Sequence, residues 1–135
     1  MDIALIEPAI EPSGYNLYAI IVNGVCLVEE YIDSLDEKNR AQIFPLFQHV
    51  LTVGPPKNEA KFKKLETHIF ELKTSGGVRI LGFFAGPKFP KSLVLTHGFD
   101  KPHRKILKRE IKKAINLHED YFSADEINII SDQGD

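Results

Sequence analysis

Residues 67–99 read THIFELKTSGGVRILGFFAGPKFPKSLVLTHGF, three β-prone runs separated by two turn signals. The runs predict strands over Thr67–Lys73, Val78–Phe84 and Lys91–Phe99, rich in Ile, Leu, Val and Phe. Thr74-Ser75-Gly76-Gly77 has hairpin-turn composition, and Ala85-Gly86-Pro87-Lys88-Phe89-Pro90 also reads as a turn. Links this short force antiparallel neighbours, so the stretch is expected to form a three-stranded antiparallel meander.

Downstream, the spacing predicts a helix over 104–122. Leu107, Ile111, Ala114, Ile115, His118, Tyr121 and Phe122 form its apolar stripe, and Lys105, Lys108, Arg109, Lys112 and Lys113 its outer face. Residues 123–135 read as an acidic, frayed tail. Upstream, a helix is expected over 36–51 with Ile43, Phe44, Phe47, Val50 and Leu51 inward. Pro45 should kink or split it, and Thr52-Val53-Gly54-Pro55-Pro56 ends it. Before that, Val25, Val28, Tyr31, Ile32 and Leu35 share one helical face. Tyr15–Val22 has strand composition and stops at Asn23-Gly24. Residues 1–14 read as an acidic, loose extension. The expected fold is α+β: an N-terminal strand, two helices, a three-stranded antiparallel meander and a C-terminal helix, in one domain over residues 15–122.

Charge is segregated. Lys57 to Lys113 carry 15 Lys or Arg against 5 Asp or Glu, and the rest of the chain carries 2 against 14, so a net charge of −2 hides a basic centre between acidic flanks. Cationic strands beside a cationic helix point to an anionic partner such as a phosphate backbone. No apolar run approaches the roughly 20 residues of a membrane span, and the acidic N-terminus does not read as a signal peptide, so no membrane and a cytoplasmic location are expected. Cys26 is the one cysteine, which excludes a disulfide frame, and its apolar surroundings suggest a small packed side chain. The five histidines, at 49, 68, 97, 103 and 118, have no ligand-like spacing. No metal or other cofactor is expected.

The stretches GVCLVEEYIDSLDEKNRAQI (24–43), FKKLETHIFELK (62–73), VRILGFF (78–84), LVLTHGFDK (93–101) and KREIKKAINLHEDY (108–121), in this order, resemble the RelE/ParE superfamily of type II toxin–antitoxin toxins. The resemblance is in particular to its HigB-like, phage-derived Gp49-like branch. It spans about residues 15–122 and implies a RelE-like fold and a toxin that cleaves mRNA on the ribosome without a metal. The implied partners are that mRNA and a cognate antitoxin, a small helix-turn-helix protein through which DNA would be met only indirectly. Two positions depart from the pattern: Lys73 stands where the family has arginine, and Asp100 where its basic loop has lysine. ParE-like members inhibit DNA gyrase by binding, which is one alternative. A catalytically silent homologue that keeps only the binding role is another.

For the chemistry, the resemblance places Arg79 at the family's strand arginine. A cation in an apolar strand needs a partner, which is either an RNA phosphate or Glu71 on the adjacent strand. Arg79, His103 and Lys64 are the catalytic candidates, with Lys61, Lys63, Lys73, Lys101 and Lys105 as substrate-binding residues. The bland reading of the lysines is a solvated charge run. His103 lies among Lys101, Arg104 and Lys105 and is the better acid–base candidate. His97 shares strand parity with Leu93 and Leu95, which favours a buried, hydrogen-bonded role. Tyr121 is read as packing.

Overall fold

The computed structural model describes residues 1–100 and 104–130. The chain runs β1 (Asp2–Glu7), β2 (Asn16–Val22), β3 (Val25–Cys26), α1 (Leu27–Ser34), α2 (Glu37–Val53), β4 (Phe62–Lys64), β5 (Phe70–Lys73), β6 (Arg79–Phe84), β7 (Ser92–Phe99), α3 (Arg104–Ser123) and β8 (Asn128–Ile129). The fold is α+β, as expected, but the meander β5-β6-β7 is only the middle of an eight-stranded sheet ordered β4-β5-β6-β7-β2-β1-β8, with β3 paired to β2. Two expectations about the chain's ends change accordingly, and a short strand is added at the far edge. Residues 2–7 are not loose: they form β1, antiparallel to β2, and bury Ile3 and Ala4. Residues 128–129 add a parallel strand beside β1, and β4 extends the opposite edge.

Local chemistry explains the connections. Asn23 and Gly24 both take positive φ (50° and 80°), the mirror-image turn that matches strand twist and folds β3 back on β2. The α2 N-cap is Asp36, whose carboxylate accepts the Asn39 N–H at 2.8 Å, satisfying a donor the helix leaves free. Pro45 does not split α2, which runs unbroken for 17 residues. Proline removes the bond to the Ala41 carbonyl, but Ala41 and Pro45 both face solvent, where water replaces the lost donor. Phe44, expected inward, is 72% exposed, and Leu46 is buried in its place.

The sheet separates two cores. On one face α1 and α2 pack Val28, Ile43, Phe47 and Val50 onto Leu72, Ile80, Leu93 and Leu95. On the other, α3 lays Ala114 and Tyr121 over Tyr18, Leu81, Phe83 and Val94. The α3 C-terminus is anchored by Tyr121, whose hydroxyl donates to the Ala85 carbonyl at 3.0 Å. Burial, with Tyr18 adding to it, pushes that phenol up to about 12. Gly98 lets α1 approach β7, because a Cβ there would meet the Tyr31 ring at 2.2 Å.

Candidate functional site

Glu71 and Arg79 sit on adjacent antiparallel strands, joined by the Thr74–Val78 turn. One Arg79 nitrogen, Nη1, donates to both Glu71 carboxylate oxygens at 3.0 and 2.9 Å. Glu71 is 1% exposed, so the carboxylate is held by this guanidinium in a poorly solvated place. The Arg79 Nε is buried with no hydrogen-bond partner. Of the two partners open to Arg79 in the sequence, the folded chain supplies Glu71, which holds the guanidinium through Nη1 alone.

Register places Lys63 opposite Glu71, Glu71 opposite Leu81 and Leu81 opposite His97, so the four residues form one row across β4 to β7. Lys73 lies opposite Arg79 in the next row. His97 is buried as expected, but not beside Leu93 and Leu95. The pairing jumps from Leu81↔His97 to Gly82↔Leu95, and Thr96 is the extra, bulged residue. A bulge turns the strand over by one position, so His97 approaches Glu110 of α3 at 3.5 Å instead.

The Thr96 hydroxyl lies 3.2 Å from the Leu81 carbonyl oxygen and 3.0 Å from His97 Nδ1. The other ring nitrogen, Nε2, is buried without a hydrogen-bond partner. Burial, helped by the nearby Lys113 charge, lowers the imidazole to about 4. His97 is therefore neutral near pH 7, and its contact with Glu110 is not an ion pair there.

At the other end of β6 lies a cavity of about 520 Å³, walled by Phe62, Phe70, Phe83, Phe84 and Phe122 and rimmed by Lys64, Thr67, His68 and His118. The His68 and His118 rings stack, with centroids 4.9 Å apart and planes 6° from parallel. Burial of His118, and then the His68 charge, lower its pKa, while Glu119 opposes the shift. The edge of Phe83 meets the His118 ring. Phe84 and Phe122 are 48% and 49% exposed.

The remaining candidates are dispersed. Lys61 and Lys73 line a smaller cleft of about 280 Å³ against α2, with Gln42 and His49. Lys105, Lys108, Arg109, Lys112 and Lys113 are all exposed on α3. Among the described residues, Arg79 is the only Lys or Arg of the basic centre with a carboxylate partner within 4.0 Å. His103 and Lys101 lie outside the described residues. Asp100 accepts a hydrogen bond from the Tyr31 hydroxyl at 2.8 Å, which ties the end of β7 to α1. Burial first, and then Asp100, push the Tyr31 phenol up. No group of three or more His, Cys, Asp or Glu side chains that could hold a metal gathers among the described residues. No helix there is long and apolar enough to cross a membrane.

The model of the phage-derived Gp49-like protein family matches residues 30–119. The chain belongs to this family. Gp49-like proteins form a toxin-like family related to RelE and HigB. No curated protein and no solved structure matches the chain. The matched span of this Gp49-like chain begins in α1 and ends within α3, so it contains the Glu71–Arg79 pair, the His97 row and both stacked histidines. Sequence reasoning missed the stacked pair because the two rings lie 50 positions apart in the chain. The one local signal was a histidine, His118, within the apolar stripe of a helix.

Proposed function

We propose that this protein is the toxin of a type II toxin–antitoxin system and cleaves mRNA on the ribosome. Membership of a toxin-like family supports the toxin part. The observation that carries the RNA part is a set of lysines and arginines on β4 and α3 that the protein's own carboxylates leave unpaired. An anionic polymer gains from such unpaired cations, because each phosphate neutralised releases counterions.

In the reaction, the 2′-hydroxyl attacks the adjacent phosphorus, a base removes its proton, and an acid returns one to the departing 5′-oxygen. Cations stabilise the charge that builds on the non-bridging oxygens. Lys63 and Lys64, both exposed on the edge strand, would offer phosphate contacts on either side of it, with Lys105 on α3 as a positioning contact. His103 remains the acid–base candidate. Arg79 would meet a phosphate through the guanidinium nitrogens that Glu71 does not hold, or by exchanging that carboxylate. An acidic antitoxin covering the basic outer face of α3 would block the same surface.

A second reading has its own support. Arg79 is already committed to Glu71, which suits a homologue that binds but does not cut. Expression in bacteria followed by primer extension on an abundant message separates the two. Discrete cuts with arrested growth are expected; arrest without cuts, or harmless expression, sinks the nuclease reading. Arg79→Ala alone would mislead, because it strands Glu71 and threatens the fold. The double variant Glu71→Leu/Arg79→Met replaces the pair with apolar groups of similar volume. If it folds and still cuts, Arg79 has no catalytic role.

A further inference from the structure

We infer that the aromatic cavity at the end of β6 is a nucleotide subsite: one unstacked base of single-stranded RNA enters between the phenylalanines, and its phosphate rests on Lys64, His68 and His118. The inference rests on the RNA reading above and names a place for one nucleotide well away from Arg79. Arg79 and Phe84 stand at opposite ends of β6, about 17 Å apart along an extended strand.

Three observations converge. The first is size and shape: a cleft of about 520 Å³ falls within the range of roughly 300–1,000 Å³ usual for small-ligand sites. The second is chemistry. The walls are ring faces and edges, and two of the rings, Phe84 and Phe122, are about half exposed. Leaving large aromatics in water is unfavourable, and a base stacks on them whatever its identity.

The third observation is charge. The lining includes Lys64 and two histidines and no carboxylate. The acids nearest the histidine pair, Glu66 and Glu119, line an adjoining cleft that also includes His68, Ile115 and His118. A phosphate is therefore directed to the Lys64 side, and an ammonium ligand is disfavoured there.

The probe is 2′-O-methyl ApA, a dinucleotide that cannot be cleaved through its 2′ oxygen. It is added to the full-length protein and followed by NMR, with inorganic phosphate and uncharged adenosine as separate ligands. The expected result is movement of the His68, His118, Phe84 and Phe122 signals, with ApA bound about tenfold more tightly than either control. His68→Ala and Lys64→Ala, both at exposed positions, should each weaken ApA about tenfold with an unchanged melting temperature. Binding no tighter than phosphate, signals that move only near Arg79, or undiminished binding in both variants overturns the subsite. The nuclease reading is judged separately, by cuts in cells expressing the wild-type protein. ApA seated in the cavity with no such cuts would leave the subsite and remove the nuclease.

Discussion

Glu71 and Leu72 are consecutive residues of β5, both essentially inaccessible to solvent, and they point to opposite faces of one sheet. Leu72 joins Ile80, Leu93 and Leu95 under α1 and α2, where the packed residues are hydrocarbon and aromatic. Glu71 faces the α3 side, which also takes in Arg79 and His97. The first face is built for stability. The second accepts a charged pair and an imidazole nitrogen without a hydrogen-bond partner, and such groups cost free energy to bury. Among the described residues, the buried ionisable groups Glu71 and His97 both lie on this second face.

The largest test of this contrast is Glu71→Ala. It leaves the largely buried Arg79 guanidinium without its anion and should lower unfolding free energy by about 3–5 kcal/mol. Urea titration reads the change. The Glu71→Leu/Arg79→Met double variant should recover most of it; a single variant that costs under about 1 kcal/mol would show that the pair is solvated after all.

Leu72→Ala opens a cavity in the apolar face and should cost about 3 kcal/mol. No substitution at Arg79 should rescue it, since the two faces do not share contacts. Measurable coupling between Leu72 and Arg79 in a double-mutant cycle would contradict the separation.

Acid titration probes His97. Its folded pKa of about 4 lies below the ordinary value near 6.5, so the unfolded chain binds the proton first. Stability is therefore full above pH 6.5 and is lost as pH falls from there towards 4, by about 2–3 kcal/mol for this one group. His97→Gln should flatten the profile over that window. An equally steep wild-type and variant profile would move the cause elsewhere.

The smallest effect is expected on the outer face of α3. Lys108→Ala or Lys112→Ala should change stability by less than about 0.5 kcal/mol, while each reduces the salt dependence of RNA binding by about one ion. A stability loss comparable to that of Leu72→Ala would mean these lysines are structural.

The strands β5, β6 and β7 and the helix α3 were legible because each is a strongly patterned run bounded by clear turn chemistry. The Glu71–Arg79 contact was legible as one of two options, since a short hairpin turn sets the register of the strands it joins. The edge strands were not. β3, β4 and β8 have two or three residues each, too few to carry a period, and β1 lies in a segment whose prolines and acids suggested a loose end. They exist because neighbouring strands offer backbone partners. Phe44 and Leu46 exchanged places because helical spacing alone allows either to begin the buried face, and the position of the sheet chooses.

Side-chain periodicity, turn residues and charge order are local properties, and from them alone this chain's α+β class, its central meander and its basic middle can be written down. Which face His97 occupies, whether Arg79 is free, and that His68 meets His118 depend on one bulged residue, on a register and on where α3 crosses the sheet. Those are long-range outcomes of burying the most apolar area at once, and no short window of residues contains them.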